Sequence, residues 1–312
     1  MDISIIQNLA NRIADNISKV IVGKEEIIKH SLICLVGSGH MLIEDVPGTG
    51  KTLFARALAK SINSEFSRIQ FTPDLLPSDI TGIHYFNQKE NAFTLRKGPV
   101  FTNILLADEI NRATPRTQSA LLESMEERQV SIDNETFKLP PPFFAIATQN
   151  PVETQGTFPL PEAQLDRFLI KGNMGYPTRD EACQILERFD GKNPIDGLSP
   201  VASGNDINKA AEVFPNIHIS DDIKYYIIDI AEKTREHKSV FLGVSPRATQ
   251  ALMKAVKIYA AMDGRDFVIP DDVKALCHSV FAHRIITNLS MDSGRTAVAI
   301  IDEILTALPV PK

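Results

Sequence analysis

One stretch constrains this chain more than any other: Glu44-Asp45-Val46-Pro47-Gly48-Thr49-Gly50-Lys51-Thr52. The apolar run Met41-Leu42-Ile43 leads into it, and the helix-like run Leu53-Phe54-Ala55-Arg56-Ala57-Leu58-Ala59 leaves it. Strand, glycine-rich turn, Lys-Thr and helix in this order make a loop that grips phosphate. Gly48 and Gly50 let backbone N–H groups turn inward around phosphate oxygens. Lys51 has the reach for terminal phosphates, and the Thr52 hydroxyl suits Mg²⁺. The helix that follows points its positive end at the anion. Asp45 departs from the strict G-x-x-x-x-G-K-[ST] pattern, because it stands where the first glycine is expected. The competing reading is an ordinary strand–turn–helix corner that contains Gly-Lys-Thr.

At 312 residues the chain is long enough for two domains and a substantial core. A net charge of −6 gives no global basic character that would ask for nucleic acid. The three cysteines, Cys34, Cys183 and Cys277, have no metal-ligand spacing and read as buried or neutral thiols in a reducing compartment. The seven histidines show no metal spacing either. No apolar run approaches the roughly 20 residues needed to span a bilayer. Met1-Asp2-Ile3-Ser4 lacks the charged start of a signal peptide, so a cytoplasmic location is expected.

Short apolar runs alternate with helical patterns through the first part of the chain. Candidate strands cover 41–44, 67–71, 103–108, 143–147 and 169–174, with helices near 52–63 and 115–128. That alternation predicts a parallel sheet covered on both faces. Two segments interrupt it as hairpins, 83–98 and 129–139. The aromatic residues His84, Tyr85, Phe86 and Phe93 in the first read as hairpin packing, with a grip on a partner protein as the competing reading. Residues 191–205, rich in Gly, Pro, Ser and Asp, read as a linker between a core at 1–190 and a second domain at 206–312. The second domain reads as helical throughout: 206–213, 220–237, 245–262, 270–282 and 293–308. Ser220 and Ser245 are placed as caps, and Asp221-Asp222 and Asp271-Asp272 as charges at helix starts.

Four further stretches carry chemistry. Asn103-Ile104-Leu105-Leu106-Ala107-Asp108-Glu109 describes a buried strand ending in two acids, at the edge where ligands bind in open α/β sheets. Asp108 suits Mg²⁺, and Glu109 suits activation of a water that attacks a γ-phosphate. Phe143-Phe144-Ala145-Ile146-Ala147-Thr148-Gln149-Asn150 ends a second buried strand in an amide able to hold that water or the γ-phosphate. In Leu165-Asp166-Arg167-Phe168, Arg167 is of the type that stabilises charge on a transferred phosphoryl group from a neighbouring subunit. Its alternative is a surface pair with Asp166. Arg247, in Gly243-Val244-Ser245-Pro246-Arg247, sits in the first turn of a helix in the second domain, where it either touches the nucleotide and reports its state to that domain or is simply solvated.

Taken in order, these motifs resemble those of the AAA+ ATPases. The wording of residues 45–52, Asp108-Glu109-Ile110-Asn111-Arg112-Ala113, Gln164-Leu165-Asp166-Arg167-Phe168, 71–79 and 156–164 is similar to the MoxR family within them. The resemblance implies a P-loop AAA+ parallel-sheet core with a helix-2-type hairpin insert at 83–98, a pre-sensor-1 hairpin at 129–139 and a small all-helical lid. It implies ATP in the cleft between core and lid, held by Val22, Gly23, Gly48, Thr49, Gly50, Lys51, Thr52 and Leu53, with Mg²⁺ on Thr52 and Asp108. It casts Lys51 as the Walker A lysine, Asp108 and Glu109 as the Walker B acids and Asn150 as sensor 1. Arg167 becomes an arginine finger acting across a subunit interface, and Arg247 becomes sensor 2, acting within its subunit or on a neighbour. The implied function is ATP hydrolysis in a hexameric ring that remodels or assembles client proteins, including proteins with von Willebrand factor A domains. Three rivals are weighed: a non-hydrolysing ATP-binding scaffold, which predicts a damaged second acid or arginine where Glu109 and Arg167 both stand, a metal-chelatase-like motor subunit, and a nucleic-acid-dependent ATPase. The last predicts basic, aromatic pore hairpins, whereas 129–139 offers Lys138 against Asp133 and Glu135.

Overall fold

A computed structural model of the chain describes residues 3–152, 156–191, 193–288 and 296–311. Residue 192 of the linker and the expected start of the last helix at Ser293 lie outside the described residues.

Two helices, α1 (Ser4–Ser18) and α2 (Glu25–Val36), precede β1 (Met41–Glu44). Then follow α3 (Lys51–Ser61), β2 (Phe66–Gln70) and a single-turn α4 (Pro77–Thr81), which leads into the hairpin β3 (Gly82–Asn87) and β4 (Ala92–Lys97). After β5 (Ile104–Asp108) and α5 (Pro115–Glu127) comes a second hairpin, β6 (Gln129–Ile132) and β7 (Glu135–Lys138). The core continues through β8 (Phe144–Gln149), the short α6 (Glu162–Leu165), β9 (Ile170–Gly172) and α7 (Arg179–Arg188). The segment expected as the lid holds α8 (Gly204–Val213), α9 (Asp221–Glu236), α10 (Pro246–Met262), α11 (Pro270–Phe281) and α12 (Ala297–Ala307). It also contains a small antiparallel ribbon, β10 (Val240–Leu242) with β11 (Ile286–Thr287), which a purely helical reading leaves out.

The five core strands lie in the order β2-β5-β8-β1-β9, and every neighbouring pair is parallel. Alternation within each strand explains the layers. Ile104, Leu106, Phe144 and Ile146 face one cluster, which also takes in α1, α2, α3 and much of the lid. Leu105, Ala107, Ala145 and Ala147 face a second cluster, with Leu121, Leu122 and Phe168. The lid therefore packs on the core through shared apolar surface. The lid helices start where hydroxyls accept the first free N–H groups: Ser220 from Ile223 and Ser245 from Ala248. Asp272 is more than a helix-start charge, because it is buried and meets Arg265 at 2.6 Å.

The two inserted hairpins touch through His84 Nδ1 and Asp133 Oδ2, 2.8 Å apart. Phe86 and Phe93 pack edge to face across the first hairpin at 5.5 Å, as hairpin packing predicts, yet both stay exposed to solvent.

Buried His40 pins the start of β1. Its Nδ1 accepts the Ala145 N–H at 3.0 Å, so Nε2 carries the proton and donates to the Met125 carbonyl at 2.9 Å. Burial first, and then the Arg128 guanidinium, push its pKa down to about 3. His283, against the Phe168 carbonyl at 3.1 Å, is likewise driven well below the usual histidine range by burial and by Arg284. An unfolded chain takes up these protons near pH 6.5, where the folded chain refuses them. Stability is therefore complete above that pH and falls as the pH drops below it, by up to about 1.4 kcal/mol per pH unit for each histidine. Urea unfolding at about pH 7.5 and about pH 5.5 should show the lower midpoint at the acid value. Equal midpoints would contradict the assignment.

Candidate active site

The C-terminal ends of β1, β8, β5 and β2 stand side by side, with Glu44 opposite Gln149 and Gln70 opposite Asp108. A cleft of about 450 Å³ opens along this edge. Gly48, Gly50, Lys51, Thr52 and Leu53 line one wall, and Asp108, Glu109 and Asn150 line the other. Four strand ends and one turn thus meet in one place.

The turn has the backbone a phosphate cradle needs. Gly48 and Gly50 sit at φ +85° and +94°, a left-handed region that favours glycine. A side chain at Gly48 would meet no atom within 4 Å, so the space above that turn is open for a ligand. Lys51 Nζ donates to the Val46 carbonyl at 2.6 Å, and Thr49 Oγ1 donates to the same oxygen at 3.4 Å. Thr49 is thus part of the turn without lining the cleft. Asp45, at the unexpected position, is buried and works as a fastener. One carboxylate oxygen accepts the Val46 N–H at 2.8 Å, and the other accepts those of Met174 and Gly175 at 3.2 and 3.1 Å, just beyond β9.

The two acids are held by a shared neighbour. Thr148 Oγ1 donates to Asp108 at 2.6 Å and accepts the Glu109 N–H at 2.8 Å. Glu109 itself lies at φ +58°, uncommon for a non-glycine residue. Its carboxylate accepts from Gln70 Nε2 at 2.8 Å and Arg112 Nη1 at 3.3 Å. Arg68 reaches Asp108 Oδ2 through Nη2 at 2.7 Å and Nε at 3.2 Å. Sequence reasoning passed over Arg68, Gln70 and Thr148. The available signal was polar Arg68 and Gln70 on either side of buried Ile69 at the end of a strand. Asn150 keeps its Oδ1 on the Val152 N–H at 3.1 Å, at the mouth of β8. The hard oxygen donors Thr52 and Asp108 share the cleft with the phosphate turn, a donor set that fits Mg²⁺.

Other expected residues stand elsewhere. Among the described residues, none beyond 190 lines this cleft. Val22 is buried and Gly23 is covered by Glu181 of α7, and neither lines the cleft. Arg167 and Arg247 line a different crevice, of about 270 Å³. There both grip Glu126, Arg167 Nε at 3.1 Å and Arg247 Nη1 at 2.8 Å, while Arg167 Nη1 also donates to the Leu122 carbonyl at 2.7 Å. The pair considered between Arg167 and Asp166 is replaced by one with Glu126. Asp166 instead accepts from buried Arg284, 2.6 Å away, whose pKa burial lowers and Asp166 raises.

Among the described residues, no group of three or more His, Cys, Asp or Glu is placed to hold a metal ion, and no helix is long and apolar enough to cross a membrane.

Comparison with known proteins agrees with this geometry. Residues 40–170 match the model for the ATPase family associated with various cellular activities (AAA), and residues 232–304 match the AAA lid domain. The chain is 51% identical to the uncharacterised Bacillus subtilis protein YeaC, over 97% of this chain and 95% of that one. It is 39% identical to Chaperone MoxR1 of Mycobacterium tuberculosis, over 95% of this chain and 81% of the relative. Protein MoxR of Paracoccus denitrificans is 31% identical, over 94% and 93%. A crystal structure from Cytophaga hutchinsonii superposes with a TM-score of 0.93 at 38% identity, covering 100% of this chain and 97% of that one.

Proposed function

This chain belongs to the MoxR family of AAA+ ATPases, and we propose that it hydrolyses ATP with Mg²⁺ in a ring of subunits to remodel client proteins. Binding and hydrolysis of ATP come with the family. The ring, the metal and the client are our reading. The observation that carries the ring is the separation of the two arginines from the cleft: Arg167 and Arg247 share Glu126 in another crevice. A finger held there serves a neighbouring subunit's γ-phosphate.

In this reading Gly48, Gly50 and Lys51 hold the phosphates, while Thr52 and Asp108 would hold Mg²⁺, which when bound would offset charge building on the phosphoryl group. Glu109 takes the proton of the attacking water, and Asn150 orients that water or the γ-phosphate. Val22 and Gly23 take the adenine side, and Arg247 reports the nucleotide state to the lid. The division into a core at 1–190, a linker at 191–205 and a lid at 206–312 is part of the same proposal, as is a cytoplasmic setting. The client role rests on the relative named Chaperone MoxR1. A client with a von Willebrand factor A domain is a narrower form of it. Asp133 and Glu135 at the second hairpin disfavour the nucleic-acid alternative, since they repel phosphate.

Light scattering with and without Mg²⁺ and ATP tests the ring. The expected mass is about six times the 34.5 kDa chain when both are present. Full turnover by a species that stays monomeric would overturn the proposal.

A further inference from the structure

We propose that Arg284, in the lid, is a positioning residue for Arg167: the lid holds the backbone that carries the finger. The inference rests on reading Arg167 as a finger and adds what aims it.

Arg284 follows α11 in a turn of 3₁₀ helix and is only 8% exposed. A guanidinium has five N–H bonds in a fixed fork, and here each finds an acceptor. Nε donates to Asp166 Oδ1 at 2.6 Å. Nη2 donates to the carbonyls of Asp166 and Phe168 at 3.1 and 2.7 Å. Nη1 donates to the Leu169 carbonyl at 3.3 Å and to the carbonyl of Val280 in α11. Four of the five bonds therefore cross from the lid to residues on either side of Arg167, and the fifth ties the same group to a lid helix.

Two more lid residues converge on this segment. Ser245 Oγ, the cap of the helix that carries Arg247, donates to Asp166 Oδ2 at 3.3 Å. His283 Nε2 donates to the Phe168 carbonyl at 3.1 Å. The base of the finger is thus fixed by the lid, whereas its tip is fixed by Glu126 and Leu122 of α5. A lid that shifts carries residues 166–169 with it and moves the guanidinium against its neighbour's phosphate. Lysine cannot replace such a fork, because its ammonium has three donors and no plane.

Mixed rings test this by placing the substitution on one side of the shared site. A donor subunit carries Glu109→Gln, which keeps its finger but not its own turnover. An acceptor subunit carries Arg167→Ala, which keeps its cleft but lacks a finger. Together they should recover turnover. Adding Arg284→Lys to the donor should cut that recovered rate about ten- to hundredfold, since a displacement near 1 Å costs about 100-fold. Adding it to the acceptor should leave the rate within about twofold. Equal losses from either placement would make Arg284 a general support of the lid and overturn the proposal, as would no loss from the donor. No recovery in the parent mixture would sink the finger reading and this inference together. Thermal melts and ring mass monitor folding. If Arg284→Lys does not fold, Asp166→Asn keeps the shape and removes the charge, and the same one-sided loss is expected. A symmetrical loss, or none, would again count against it.

Discussion

Glu109→Gln should bind ATP as well as the parent and turn it over about 100- to 10,000-fold more slowly, the range a positioned general base supplies. The structure makes this substitution unusually clean. Glu109 closes a buried strand, and its backbone is fixed by the bond from its N–H to Thr148 Oγ1 at 2.8 Å. Glutamine has the same length and tolerates the same backbone, and its amide oxygen can still accept from Gln70 and Arg112, at 2.8 and 3.3 Å in the parent. What disappears is the ability to take a proton. Asp108 and the phosphate turn are untouched, so binding of a fluorescent nucleotide should stay within about threefold while steady-state phosphate release collapses. Undiminished release would remove Glu109 from the mechanism.

A comparable loss, about 1,000-fold or more, is expected from Arg167→Ala, on the scale of an arginine finger. Here the physical argument is about what does not change. Arg167 and Glu126 are both about 30% exposed, and Glu126 keeps Arg247 at 2.8 Å when Arg167 is gone. A partly exposed pair of this kind contributes up to about 1 kcal/mol, so the variant should melt within a few degrees of the parent. Nucleotide affinity of the isolated subunit should also hold, because Arg167 does not line its own cleft. Activity would vanish with fold and binding intact. A variant that retains more than about a tenth of parental turnover would return Arg167 to the status of a surface arginine.

How much of this was legible in the chain depends on which force shapes each part. The strands β1, β5 and β8 are continuous apolar runs because both faces of the sheet are covered, and such runs advertise themselves. The hairpins were readable from alternation, and α9 and α10 from their serine caps. Strand β2 came out one residue early, at Phe66–Gln70, because its polar alternation gives no sharp end. Helix α7 was missed: none of its side chains is buried, and its start depends on a local box between Thr178 and Glu181. The ribbon of β10 and β11 has three residues and two, too few for any period to register.

The site divides in the same way. Lys51, Thr52, Asp108, Glu109 and Asn150 sit at ends of buried elements, where topology brings polar residues together, and their order announced the cleft. Thr148 and Gln70 belong to it only through strand register. Glu126 and Arg284 had no local signal. Their importance lies in contacts across 41 and 118 positions of sequence, between Glu126 and Arg167 and between Arg284 and Asp166.

Asp45 offers a lesson for anyone who would redesign this loop by majority vote. A general phosphate-loop template asks for glycine at that position, and consensus engineering would supply it. The carboxylate there accepts three N–H groups, from Val46, Met174 and Gly175. Glycine would leave two segments of chain without the acceptor that joins them, and buried donors left unmade cost about 1–3 kcal/mol each. The template records what phosphates need from the turn. Residue 45 answers to the far edge of the sheet instead, so the variant closest to the template would be the worse-built protein.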